Sequence, residues 1–162
     1  SSEVDFTKTG DVMTAVNNAM FDEFSKESSF ATALYAILDP ANNELRYTSA
    51  GHEPPILFRK NDDQVLLTHT DIVLGADSGI TYNEKSTGLQ SEDTVLIYSD
   101  GLTETVNSND QMLGKEKIID TINSVKSKSV KEILATIYNA IKAHAGNEQI
   151  TDDISVAVIK MF

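Results

Sequence analysis

Hydrophobic residues recur with a helical period at both ends of the chain. Near the N-terminus, Thr9 is placed to cap a helix that runs to about Lys26. Two more helices are predicted before the last strand, and the second begins at a capping box of Ser129 and Glu132 and ends at Gly146. The first helix is predicted to bury an apolar face that consists of Val12, Val16, Met20 and Phe24, with Ala15 and Ala19 beside them.

Between the first helix and the last two, short apolar runs separated by turn residues predict about seven strands, and one more strand follows the last helix. Residues 30–38 and 94–98 are almost continuously apolar, which is typical of buried strands. The others before the last two helices are 44–49, 56–59, 64–68, a short apolar piece at 72–75, and the polar and edge-like 80–89, and the strand after them is 154–159. Helices do not alternate with the strands, so the pattern favours an α+β layered domain with antiparallel hairpins over a parallel βαβ fold.

Composition narrows the class of protein. The 162 residues are enough for one domain, and they contain no cysteine, which excludes disulfides, zinc–thiolate sites and cysteine nucleophiles. A net charge of −12 opposes binding to nucleic acid and to anionic membranes, and it reflects either solubility or carboxylates clustered around a divalent cation. The chain has neither a long apolar span nor a signal peptide, so we expect a cytoplasmic protein.

Acidic residues stand at the ends of two apolar strands. Asp100 follows residues 94–98 and precedes Gly101, whereas Asp152 and Asp153 come directly before the last strand. If the two strands are antiparallel neighbours, Asp100 and Asp152 meet, and oxygen ligands of this kind suit magnesium or manganese rather than zinc. Taken singly, each group is also compatible with a turn cap or a solvated strand entry.

Histidine and serine give weaker signals. His52 lies among turn residues at 50–55 and could serve as a metal ligand, a general base or a structural turn residue, the last being the default. His69 and His144 have no supporting cluster in the sequence. Ser99 has no candidate base at a recognisable spacing, which disfavours a serine hydrolase.

Five sequence blocks, in order, cover nearly the whole chain. They are 30–35 with Asp39-Pro40, 47–55, 74–75, 95–104 and 151–158. Together they resemble the bacterial stage II sporulation protein E-type serine/threonine phosphatases, which are protein phosphatase 2C-like. The resemblance implies an antiparallel β-sandwich flanked by helices, and two Mn²⁺ or Mg²⁺ ions that activate a water for hydrolysis of phosphoserine or phosphothreonine.

The resemblance also implies a set of site residues. By motif position, the metal site includes Asp100, Gly101, Asp152 and Asp153. Asp100 and Asp152 would act in catalysis through the metal-activated water, and Asp153 would support them. The other signature positions, to which the resemblance assigns structural or supportive roles, are Gly51, His52 and Glu104.

The sequence departs from the family at its N-terminal end. The family carries two further metal-binding carboxylates upstream, one of them in an Asp-x-x-Gly-His-Gly block, and this sequence has neither. Gly10-Asp11 matches the start of that block, but Met13-Thr14-Ala15 follows where the block requires glycine and histidine. We therefore interpret Asp11 as a residue in the first turn of a helix, where an acid suits the helix dipole. We therefore expect residues 1–162 to form one partial domain that lacks the family's first strands and first helix. The sheet edge and apolar surface left bare would favour a homodimer or completion by another chain.

Three functions remain open at this point. The first is a metal-dependent phosphatase that acts on a phosphorylated regulatory protein, such as an anti-sigma-factor antagonist. The second is a non-catalytic regulatory or phosphoprotein-binding module, which the absent carboxylates favour and the intact Asp100-Gly101 and Asp152-Asp153 pairs disfavour. The third, a calcium-binding β-domain, explains the acidity but not the five ordered blocks.

Overall fold

The computed structural model describes residues 4–61 and 63–162. Within these ranges the helices are α1 (Thr9–Glu27), α2 (Asp100–Glu104), α3 (Lys115–Val125) and α4 (Val130–Ala145). The strands are β1 (Ala33–Asp39), β2 (Glu44–Ala50), β3 (Ile56–Phe58), β4 (Gln64–Leu66), β5 (Lys85–Gly88), β6 (Thr94–Tyr98) and β7 (Val156–Lys160). The sequence predicted this order of elements, apart from the short helix α2.

The described residues group into two units, each built on one antiparallel sheet. One unit comprises the described residues up to Pro54 and Thr68–Leu89, and its sheet has the order β1-β2-β5. The other comprises the described residues of Pro55–Leu67 and Gln90–Phe162, and its sheet has the order β4-β3-β6-β7. The predicted hairpins β1–β2 and β3–β4 are both present, and β5 lies at an edge as its polar sequence indicated.

In the first unit, helix α1 packs on β1 and β2, but only partly through the predicted apolar face, of which Phe24 packs against the core. Its buried residues are Thr9, Gly10, Met13 and Asn17, whereas the side chains of Val16 and Met20 are 36% and 43% exposed. Apart from Met13, these buried residues are small or polar. At Gly10 the reason is a close approach of the backbone, since a Cβ there would lie 2.5 Å from the Tyr82 carbonyl oxygen.

The start of α1 also differs from the prediction. Lys8 occupies the N-cap position without a side-chain cap, and Thr9 is the first helical residue. The Thr9 N–H and hydroxyl donate to the carboxylate of Glu84 at 2.6 and 2.9 Å. A distant acidic side chain therefore satisfies the helix N-terminus, and its negative charge suits the helix dipole.

Strand β1 is less buried than its apolar sequence predicted. It begins at Ala33 rather than at residue 30, and the side chains of Tyr35 and Leu38 are 37% and 38% exposed. Its position at an edge of the three-stranded sheet accounts for part of this exposure, since β2 pairs with it on one side only.

In the second unit, helices α3 and α4 pack together, and α4 packs on β7. Strand β6 is central in the sheet and almost completely buried, as its continuous apolar run predicted. The core residues are Ile56, Phe58, Leu96, Tyr98, Leu102, Leu113, Ile118, Ile122, Ile133, Ile137 and Ile141. Full burial of each of these large side chains is worth roughly 1.5–3 kcal/mol, so the core provides a rigid mount for the ends of β6 and β7.

The predicted capping box at the start of α4 is confirmed. The Ser129 hydroxyl accepts from the Glu132 N–H at 3.3 Å, and the Glu132 carboxylate accepts from the Ser129 N–H at 3.0 Å. Replacing Ser129 by Ala should lower the free energy of unfolding by about 1 kcal/mol, as measured by urea denaturation. Ser127→Ala, an exposed turn residue nearby, is the control and should leave it unchanged.

The effect of Ser129→Ala should also depend on pH. The hydrogen bonds from Ser129 lower the pKa of the Glu132 carboxyl below its ordinary value of 4.5. A carboxyl with a lowered pKa in the folded state stabilises the fold above its unfolded pKa and loses that contribution as the pH falls through its folded pKa. The difference between wild type and Ser129→Ala should therefore shrink below pH 4.5. A constant difference down to pH 2 would contradict this assignment.

Candidate metal site

The ends of β6 and β7 meet because these strands are antiparallel neighbours. Tyr98, the last residue of β6, lies opposite Val156, the first residue of β7. The chain leaves β6 directly into α2, whose first residue is Asp100, and it enters β7 from the segment that carries Asp152 and Asp153. The geometric condition on which the sequence hypothesis depended is therefore met.

The two acidic segments approach each other closely at Gly101. A Cβ on this residue would lie 2.6 Å from the Asp153 carbonyl oxygen and 3.4 Å from Asp152 Oδ2. Gly101 is buried, whereas Asp100, Asp152 and Asp153 are exposed. The structure thus brings all four predicted site residues to one end of the sheet, with the carboxylates facing solvent.

Local backbone bonds orient two of the carboxylates. Asp100 Oδ1 accepts the Gly101 N–H at 3.0 Å, and Asp152 Oδ1 accepts the Asp153 N–H at 2.8 Å. Each carboxylate is therefore held by the N–H of the residue that follows it.

The ligand atoms available here are of the type that Mg²⁺ or Mn²⁺ prefers, but they are too few for a complete site. Exposed carboxylate oxygens are the hard ligands that these ions prefer, and the cluster contains no nitrogen or sulfur ligand of the zinc type. In residues 4–61 and 63–162, however, no group of three or more His, Cys, Asp or Glu side chains is arranged to hold a metal ion. Asp100 and Asp152 would therefore supply only part of a complete ligand set.

The other signature residues occupy different surroundings. Gly51 and His52 follow β2 in the first unit, where Gly51 has a φ of +68° and the carbonyl of His52 accepts from the Ser49 hydroxyl at 3.4 Å. Glu104 ends α2 and, together with Asp152, lines a small cavity of about 80 Å³. The positive φ of Gly51 supports the structural role predicted for it.

A larger cavity beside the acidic residues was not expected from the sequence. It has a volume of about 560 Å³, and Asp152 and Asp153 contribute to its wall. Its remaining lining is apolar and comes from α4, β7 and the segment before β7: Leu134, Ile137, Tyr138, Ile141, Ile150, Ile154 and Val156. The apolar stripe of α4 was recognisable in the sequence, but its proximity to the acids depends on how α4 packs on β7.

Comparison with known proteins identifies the family. The family model for stage II sporulation protein E (SpoIIE) matches residues 3–162. The chain belongs to the SpoIIE family. The resemblance inferred from the five sequence blocks is thereby confirmed.

Curated proteins also match parts of this SpoIIE-family chain. Phosphoserine phosphatase RsbU of Bacillus subtilis (strain 168) is 29% identical to it over 93 residues, which is 57% of this chain and 28% of that protein. This chain spans less than a third of the length of the curated relatives it matches, the shares being 28%, 16% and 23%.

Solved structures establish the fold. The SiaA-PP2C domain of Pseudomonas aeruginosa matches with a TM-score of 0.84 and 13% identity, covering 96% of this chain and 61% of that domain. The catalytic domain of serine threonine protein phosphatase PstP, in complex with two manganese ions, matches with a TM-score of 0.67 and 16% identity, covering 97% of this chain and 73% of that domain. The predicted α+β fold of protein phosphatase 2C type is confirmed. No helix in the described part of this SpoIIE-family chain has the length and apolarity to cross a membrane.

Replacing Gly101 by Ala should disturb the contact between the two acidic segments. The added Cβ would meet the Asp153 carbonyl at 2.6 Å, so the backbone must move, and overpacking of this kind costs roughly 1–3 kcal/mol. We expect a matching loss in the free energy of unfolding, measured by urea denaturation.

Gly88→Ala is the matched control, because a Cβ there meets nothing within 4 Å. It should be neutral or slightly stabilising, since glycine in a strand is unfavourable. Equal stability of Gly101→Ala and wild type would show that the close approach imposes no constraint.

Proposed function

We propose that this chain is the metal-binding part of a protein serine/threonine phosphatase that hydrolyses phosphoserine or phosphothreonine. The observation that carries the proposal is the close approach of Gly101, the residue after Asp100, to Asp152 and Asp153 where β6 ends and β7 begins, in a chain of the SpoIIE family. These carboxylates are exposed, so an external phosphoprotein can reach them, and they lie beside the ends of a rigid pair of strands that holds them in place.

Asp100 and Asp152 are the residues that we assign to divalent cation binding, with Asp153 in support. Mn²⁺ or Mg²⁺ held by these carboxylates would supply Lewis-acid polarisation of a phosphoryl oxygen and a water of lowered pKa for use as the nucleophile. Gly101 allows the two acidic segments to approach closely, because its missing side chain leaves room for the Asp153 carbonyl. The backbone N–H groups of Gly101 and Asp153 hold the carboxylates in place.

A complete site needs further oxygen ligands. Among the described residues, no three His, Cys, Asp or Glu side chains are arranged to hold a metal ion. We therefore propose that the remaining ligands come from the carboxylates that the family carries upstream, or from a second copy of the chain in a homodimer. In this proposal the chain is a partial phosphatase domain, and the two ions of the complete domain need both parts.

The proposed substrate is a phosphorylated regulatory protein of the anti-sigma-factor antagonist type. Support comes from the relative named phosphoserine phosphatase RsbU, and from the net charge of −12, which disfavours nucleic acid and anionic membranes as partners. A cytoplasmic location belongs to the same proposal.

The alternative is a non-catalytic phosphoprotein-binding module. The specific observation in its favour is the shortage of metal ligands in the part of the chain that the structure describes. Such a module would keep the fold and bind a phosphoprotein without turning it over.

Manganese-dependent hydrolysis of a phosphoserine peptide separates the two functions. In a protein whose ligand set is completed by the upstream carboxylates or by the homodimer, we expect activity that requires Mn²⁺. It should fall by roughly a hundredfold in Asp100→Asn, because removing the charge of a ligand weakens metal binding. The control is Asp120→Asn, which changes an exposed acid on α3 outside the site and should keep the wild-type rate.

Two outcomes would overturn the phosphatase proposal. Equal rates for Asp100→Asn and wild type would remove Asp100 from the site. Absence of hydrolysis together with stoichiometric binding of the phosphopeptide, measured by calorimetry, would favour the binding module.

A further inference from the structure

Ser99 links strand β6 to helix α2 and occupies the N-cap position of that helix. Its backbone is extended, with φ −84° and ψ 160°, as is usual for an N-cap residue. A serine at this position commonly accepts a hydrogen bond from a backbone N–H in the first turn, but the Ser99 side chain makes no such cap. Its hydroxyl is used across the sheet instead.

The pairing of β6 with β7 continues for one residue beyond the strands. The Ser99 N–H donates to the Ser155 carbonyl at 3.0 Å. In a regular antiparallel pair the Ser155 N–H would donate back to the Ser99 carbonyl. That carbonyl already accepts from the Leu102 N–H at 3.1 Å, because the chain has turned into α2. The Ser155 N–H donates to Ser99 Oγ at 2.9 Å instead.

The same hydroxyl reaches the segment that carries the acids. Ser99 Oγ donates to the Asp153 carbonyl oxygen at 3.2 Å. This oxygen is also the atom that approaches the bare Cα of Gly101. One side chain thus accepts from the residue that precedes β7 and donates to Asp153, so it ties the Asp152-Asp153 segment to the residue beside Asp100.

We propose that Ser99 is a positioning residue, whose hydroxyl clamps the Asp152-Asp153 segment to the start of α2 and so sets the spacing of Asp100 and Asp152 for metal binding. The metal-binding half of this inference rests on the proposed function, whereas the clamp itself does not. Ser99 is not a nucleophile in this role, because its O–H donates to the Asp153 carbonyl rather than to a base, and its oxygen accepts the Ser155 N–H.

A role in spacing differs from a role in general stability. Ser155 and Asp153 are exposed, so water can replace the Ser99 hydroxyl as a partner for their backbone groups. The loss of the hydroxyl should therefore cost little global stability while it loosens the segment locally.

The first test is amide hydrogen exchange by NMR on the metal-free chain. In Ser99→Ala the Ser155 amide should exchange roughly tenfold faster than in wild type, and the amide resonances of Asp152 and Asp153 should shift, while exchange at Ile133 in the core of α4 stays unchanged. Ser99→Thr keeps the hydroxyl and suits extended backbone, so its Ser155 exchange should stay within about twofold of wild type.

The second test is the affinity for Mn²⁺, measured by electron paramagnetic resonance. We expect about tenfold weaker binding in Ser99→Ala, recovered in Ser99→Thr. Ser124→Ala is the control, because it also removes a hydroxyl that bonds a backbone carbonyl, here Thr121 on the exposed face of α3. It should leave Mn²⁺ binding unchanged.

Wild-type exchange at Ser155 in Ser99→Ala, or a change confined to Ser155 that leaves the resonances of Asp152 and Asp153 in place, would overturn the clamp. If Mn²⁺ binds more weakly to Ser99→Ala and equally weakly to Ser99→Thr, the Ser99 hydroxyl is not the group that sets the Mn²⁺ affinity. If the wild-type chain binds no Mn²⁺, the proposed metal function fails, and the exchange measurement still decides whether the clamp exists.

Discussion

The antiparallel pairing of β6 with β7 is the interaction on which the candidate site depends. Strand β6 is held by a core of large side chains, and the register sets Tyr98 opposite Val156. This register delivers Asp100 and the Asp152-Asp153 segment to the same end of the sheet. A slip of one residue would turn the side chains of β7 to the opposite face and would remove the acids from their neighbours.

The transition from strand to helix after β6 takes place within three residues, each with a different task. Ser99 extends the sheet by one more bond and uses its hydroxyl where its carbonyl is no longer free. Asp100 begins the helix, where a negative charge suits the dipole. Gly101 admits the Asp153 carbonyl. A larger side chain at the third position, or one without a hydroxyl at the first, would disturb the approach of the two acidic segments.

Apolar periodicity was a poor guide to burial at two helices. In α1 the buried side carries Thr9, Gly10 and Asn17, because close backbone contact and hydrogen bonding to Gly75 and Asp77 hold it there. In α4 the residues Ile133, Ile137 and Ile141 are buried as predicted, whereas Leu134 and Tyr138 remain exposed beside the acidic residues. Periodicity identifies a helix reliably, but it cannot say which of two faces the neighbouring backbone will approach.

The sequence by itself determined the order of elements apart from α2, the buried strand β6, the capping box of α4 and the family, and it predicted the residues of the candidate site. These rest on local chemistry: apolar runs, turn residues, caps and short motifs act over a few positions along the chain. Only the tertiary structure decided which face of α1 is buried, how Glu84 caps that helix, and that Ser99 contacts Asp153 and Ser155. Those contacts join residues that are 75, 54 and 56 positions apart, and such pairs are brought together by strand register and helix packing, which no local pattern encodes.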